Sequence, residues 1–127
     1  MAIHIGTSGY AYREASGPAS RPAATFEFRH ASWFCDEVYA ALSQACAVLC
    51  IAESDKLATP RVATAKWGYL RLRKEQYKPA ELVDWAAWIG AQKWRQSYVY
   101  FKHEDTARGT VLAKKLRQLV KGRLGGA

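Results

Sequence analysis

Residues Phe26-Glu-Phe-Arg-His-Ala-Ser-Trp-Phe34 constrain this chain more than any other stretch. They read as a short strand that delivers Arg29 and His30 to its end and passes at once into a helix start. Thr25–Arg29 is the strand, Ser32 the expected helix cap, and Asp36 and Glu37 fall in the first turns, where the helix dipole favours acids. The same order of strand, polar residue and helix recurs downstream. Such alternation implies a parallel sheet with right-handed crossovers. In folds of this class a site is built at the carboxyl ends of the strands.

Three more strands follow at Val48–Ala52, Trp67–Arg73 and Ser97–Lys102, and a first one at Ile3–Ile5 ends in a Gly6-Thr-Ser-Gly9 turn. Helical spacing joins Val38, Leu42 and Ala45, then Leu82, Trp85, Trp88 and Ile89 behind Pro79, a residue suited to a first turn. A last helix spans about 107–121, with Leu112, Leu116, Leu119 and Val120 on one face and Gly122 as its stop. Residues 13–25 lack periodicity, hold two prolines and read as a linker or exposed loop; residues 56–66 read as a second loop.

The strands do not follow the rule for a fully covered parallel sheet, which is apolar on both sides. Tyr69, Arg71 and Arg73 alternate with Leu70 and Leu72; Tyr98, Tyr100 and Lys102 alternate with Val99 and Phe101. One face is therefore apolar and helix-covered. The other is polar, basic and aromatic, and is wet, buried against a partner, or built around a ligand. Glu27 is a single carboxylate there among several cations.

With 127 residues, half of them hydrophobic, the chain is one domain with a real core. No apolar run can span a bilayer and the N-terminus enters a strand directly, so the expectation is a soluble cytoplasmic protein that engages no membrane. Cys35, Cys46 and Cys50 form no C-x-x-C pair and read as small buried hydrophobes. Residues 1–66 balance six Lys/Arg against six Asp/Glu, whereas residues 67–127 carry thirteen against five, which is the whole net charge of +8. A basic terminal helix can serve an anionic partner, but no nucleic-acid motif accompanies it, and we read it as a solvated face.

The pieces Ile5-Gly-Thr-Ser-Gly-Tyr10 with Tyr12, Phe26–Phe34, Tyr69-Leu-Arg-Leu72, Tyr77 with Leu82-Val-Asp-Trp-Ala86, and Val99-Tyr-Phe101, taken in this order, resemble the family called domain of unknown function 72, also known as the YecE-like family. The resemblance implies a barrel of eight βα units and brings no established activity with it. A full barrel takes about 250 residues, so this chain is a shortened form lacking about three central βα units, with residues 13–25 at the deletion point. The implied fold is α/β: half of a TIM-type barrel, about five parallel strands with helices on one face, the Ile3 and Phe26 strands at its edges. Where the family usually has His-Gly after the fourth strand, this chain has Arg73-Lys74. Where it usually has Phe-Asn-Asn-Asp, this chain has Phe101-Lys-His-Glu-Asp105.

The reading these residues support is a half-barrel binding or assembly module without robust catalysis. Two open edges invite pairing with a second copy, so a homodimer is expected. Thr7, Ser8, Tyr10, Trp33, Arg73, Lys102, His103 and Asp105 are the candidate ligand-binding residues, for an anionic small molecule that Arg can grip bidentately. The alternative is a hydrolase-like enzyme on a phosphorylated or anionic substrate, with His30 as general acid or base and Arg29 and Arg71 beside it. Nucleic-acid binding through the last helix is a third reading. Glu53, Asp55, Glu104 and Asp105 add carboxylates at strand ends, but no tight ligand spacing supports a metal, and no motif names a cofactor.

Overall fold

The computed structural model describes residues 2–8, 24–102 and 108–125. Five strands, β1 (Ala2–Ser8), β2 (Thr25–Phe26), β3 (Val48–Glu53), β4 (Trp67–Leu72) and β5 (Gln96–Lys102), form one sheet in the order β1-β5-β4-β3-β2. Every pair is parallel. The Ile3 and Phe26 strands, β1 and β2, are the two edges among the described residues, as expected of the half-barrel, and the sheet does not close.

Helices α1 (Asp36–Gln44), α2 (Pro79–Ala91) and α3 (Arg108–Gly125) all lie on one face. The alternation in the strands decides which. Ile51, Leu70, Leu72, Val99 and Phe101 point outward and pack with Leu82, Trp85, Ala86 and Ile89 of α2 and Ala113, Leu116 and Val120 of α3. A smaller cluster places Leu42 of α1 on Leu49, with Phe28, Val38, Tyr39 and Val62 around them. No helix joins β3 to β4. The loop between them takes the helix's place: Thr64 Oγ1 accepts from the Leu49 amide and donates to the Ala47 carbonyl, and Arg61 lies 3.7 Å over the Trp85 ring while pairing with Asp84.

Gly68 is where this packing is tightest. Its missing side chain points at Trp94, and a Cβ there would lie 2.4 Å from the indole. Trp94 is itself buried and wedged edge-on against Trp88, so it has nowhere to go. Gly68→Ala is expected to destabilise the fold by about 2 kcal/mol through overpacking. Thermal unfolding followed by circular dichroism checks this; an unchanged melting temperature would mean that Trp94 moves freely.

Several sequence-based boundaries shift. β1 runs on through Ser8, because pairing with β5 continues from Ala2↔Gln96 to Ser8↔Lys102, and there is no turn at Gly6. β2 stops at Phe26, since only Thr25 and Phe26 pair with β3. Ser32 does not cap α1. It sits in a 3-10 turn, Ala31–Trp33, whose cap is His30, and Cys35 takes the N-cap position of α1. α3 passes through Gly122, because one glycine in a helix costs only about 1 kcal/mol against a packed apolar stripe. Cys50 is buried as expected, but Cys35 and Cys46 are exposed. Cys46 holds φ 56°, a left-handed residue that ends α1. Residues 9–23, which hold most of the linker expected over 13–25, lie outside the described residues, and Thr25 at its end belongs to β2. No described helix is long and apolar enough to cross a membrane.

Candidate functional site

The inner face of the sheet has two tiers. Toward the amino ends of the strands it is an aromatic stack. His4 lies flat on Tyr98 at 4.6 Å, Trp67 meets Tyr98 edge-on at 6.0 Å, and Tyr69 packs on both Tyr98 and Tyr100. Tyr98 and Tyr100 are buried, Trp67 and Tyr69 are half-buried and His4 is exposed, so this tier is covered at its centre and meets water at its rim. Tyr98 Oη donates to Gln96 Oε1 at 2.8 Å, a bond within the same strand.

Above the rings the same alternation carries charge. Arg71 Nη1 donates to Glu27 Oε1 at 2.6 Å, Arg29 reaches the other oxygen of Glu27 at 3.5 Å, and the Cys50 Sγ lies 3.7 Å from Glu27. Burial, with the Glu27 carboxylate beside it, pushes the Cys50 thiol well up, so it stays protonated and inert. Glu27, the lone inner carboxylate of the sequence, thus joins the edge strand's extension to β4.

The carboxyl ends of the strands enclose a cleft of about 560 Å³, lined by Glu27–Arg29 after β2, residues 52–57 and Thr59 after β3, Arg73 and Glu75 after β4, and Lys102 of β5. Most of its charges are already engaged. Lys102 Nζ pairs with Glu75 at 2.6 Å. Glu53 accepts from the Trp85 indole at 3.4 Å. Ser54 Oγ closes the loop on the Lys56 and Leu57 amides. Arg73 differs. Its amide is used, donating to the Glu53 carbonyl, but its side chain makes no ion pair with any described residue, and its Nε is buried with no hydrogen-bond partner. Thr59, 6% exposed, likewise has a buried Oγ1 without a partner. Buried polar atoms are nearly always satisfied, so two orphans lining one cleft mark a place for a further group.

The structure brings together Arg29, Arg71, Arg73 and Lys102 from the sequence-derived candidates. It places the others elsewhere. His30 is exposed, and its Nδ1 accepts from the Ser32 amide at 3.1 Å with Ser32 Oγ 2.8 Å away, which is a capping role. Trp33 stacks on Phe28 at 4.8 Å and does not line the cleft. The register sets the backbone of Thr7 and Ser8 beside Phe101 and Lys102, at the right end of the sheet. Tyr10, His103 and Asp105 lie outside the described residues. Among the described residues no three His, Cys, Asp or Glu side chains gather as metal ligands. The sequence reading missed Thr59 and Glu75. Glu75 follows β4 by three residues and was open to the same strand-end argument; Thr59 sits in an irregular loop, where no periodicity points to it.

The half-barrel fold has a counterpart among known proteins. The family model described as "Protein of unknown function DUF72" matches residues 16–126. The chain belongs to the DUF72 family. The match includes the Phe26–Phe34 stretch and omits the Ile5–Tyr10 stretch. A crystal structure of a DUF72 family protein from Thermotoga maritima MSB8 is 18% identical, covering 76% of this chain and 45% of its own, with a TM-score of 0.61. One from Enterococcus faecalis V583 is 12% identical, covering 76% of this chain and 46% of its own, with the same TM-score. The chain thus spans a little under half the length of these DUF72 structures, and they share its fold. No curated protein matches it.

Proposed function

We propose that this DUF72 domain is a binding module for a small oxyanion of the phosphate class, held at the strand-end cleft with Arg73 as its anchor. The observation that carries the reading is the pair of unsatisfied buried atoms, Arg73 Nε and Thr59 Oγ1, lining one cleft. Glu27 and Glu75 in this cleft pair with other cations and Glu53 accepts from the Trp85 indole, so Arg73, which makes no ion pair with any described residue, keeps its donors for an incoming oxyanion, and a hydroxyl can add a further hydrogen bond. Arg71 and Arg29 are committed to Glu27, so they contribute field and Arg73 contributes contacts.

Calorimetric titration with inorganic phosphate tests this. The wild type is expected to bind. Arg73→Ala should weaken binding roughly tenfold or more, as loss of a charge-assisted bidentate contact does. It should leave the melting temperature in place, because no ion pair is lost. Arg73→Lys should recover part of the affinity, since an ammonium keeps the charge without the fork. No binding by the wild type, or equal binding by Arg73→Ala, would sink the proposal.

A further inference from the structure

The edge formed by β2 carries a feature the cleft does not explain. Phe26 is 46% exposed and Trp33 50%, and Phe28 links them, 6.5 Å from Phe26 and 4.8 Å from Trp33. Phe26 pairs with Leu49, an outward-facing residue, so these rings sit on the helix side of the sheet. They lie just where the next βα unit of a complete barrel would cover them. That unit and its neighbours fall between β1 and β2 in the order of a barrel, and among the described residues both strands are sheet edges. Large aromatics left in water beside an open edge are a contact surface awaiting a partner.

We infer that the partner is a second copy of this chain, packed with its β1 edge toward the β2 edge of the first. Both edges run in the same direction, since all pairs in the sheet are parallel. A twofold axis along the strands therefore sets β1 of each copy toward β2 of the other and repeats the contact, giving a closed pair instead of a filament. Any other partner would need its own pair of matching edges; a second copy has them by construction. The flanking helices are complementary as well. α1, beside β2 and β3, carries exposed Asp36 and Glu37 and no Lys or Arg within Asp36–Gln44. α3, packed on β1 and β5, presents Lys114, Lys115 and Lys121 and has no acid. The junction thus brings an acidic helix toward a basic one, which gives the long basic face of α3 a use other than solvation.

Light scattering behind size exclusion, over a range of protein concentrations and at low and high ionic strength, reads the result. The wild type is expected to be a dimer, with a dissociation constant that rises with salt. Trp33→Lys should weaken the dimer roughly tenfold or more, as removal of a central aromatic anchor does. Phe26→Lys should act alike, and Val83→Lys, which removes an exposed hydrophobe from α2 away from both edges, should not. Circular dichroism confirms that each variant is folded; Phe26 and Trp33 are half in water, so the fold does not depend on them. A wild type that is monomeric at every concentration overturns the inference. So does a dimer that survives both edge variants. Neither result bears on phosphate binding by Arg73, which is read in a separate titration.

Discussion

Replacing Trp85 with alanine is expected to cost about 3–5 kcal/mol, the usual range for removing a large buried aromatic. Trp85 is 3% exposed and holds three things at once. Its ring fills the space between α2 and the outer face of β3 and β4, edge-on to Trp88 at 6.0 Å. Its face carries the Arg61 guanidinium, and so fastens the loop that stands in for a helix between β3 and β4. Its indole N–H bonds to Glu53 on the rim of the cleft. Alanine leaves a cavity, an unsupported cation and a freed carboxylate. Domains of this size hold about 5–15 kcal/mol in all, so the variant will stand near its unfolding threshold. Urea titration followed by circular dichroism checks it: the midpoint should fall sharply with the slope unchanged. Arg61→Ala, which removes the cation and leaves the ring, should cost about 1 kcal/mol. Equal losses in the two variants would show that the loop, and not the filling of the core, is what Trp85 supports.

Glu27→Ala is expected to cost about 3 kcal/mol, the lower end for breaking a buried ion pair, because Glu27 and Arg71 keep about a fifth and a quarter of their side chains exposed. The loss comes from what stays behind: Arg71, Arg29 and the Cys50 thiol all face the vacated position. The same change has a second, opposite effect. It frees Arg29, which lines the same cleft as Arg73, so phosphate affinity should rise while stability falls. Arg73→Ala should do the reverse, losing affinity and keeping stability. Chemical denaturation and phosphate titration on the two variants separate the roles. A Glu27→Ala protein that loses stability without gaining affinity would place Glu27 outside the field of the bound anion.

The contrast between Glu27 and Arg73 shows where sequence reasoning stops. Both residues lie on the inner face by simple alternation, and both were legible as such. Alternation fixes a side, not a partner. Arg71 and Arg73 are chemically identical and two residues apart, one in β4 and one just past its end, yet Arg71 meets a carboxylate from β2's extension and Arg73 pairs with none among the described residues. That difference depends on how far β2 reaches past its two-residue pairing with β3. His30 makes the same point from the other side. Its position at a strand end suggested acid–base chemistry, but a local turn closed by Ser32 was an equally short path for its ring nitrogen, and the structure takes it. Side chains of Ser, Asn, Asp and His near a helix start compete for the nearest free amide, and such local bonds form at little entropic cost.

The sequence by itself determined the class of fold and the faces of the sheet, while the strand order came from the resemblance to the family. The 3.6 and 2.0 periodicities that separate apolar from polar positions are properties of the backbone, and they need no tertiary information to be read. It also led to the expectation of a site at the carboxyl ends of the strands, where the structure has a cleft. Only the tertiary structure decided that Tyr98 and Tyr100 on the inner face are buried, that Arg71 is spent on Glu27, and that Arg73 and Thr59 are left with buried atoms unpaired. It alone exposed Phe26 and Trp33 on the rim of the gap. These outcomes turn on contacts between residues tens of positions apart, and whether a charge is satisfied or a ring is covered depends on what the rest of the chain brings to it.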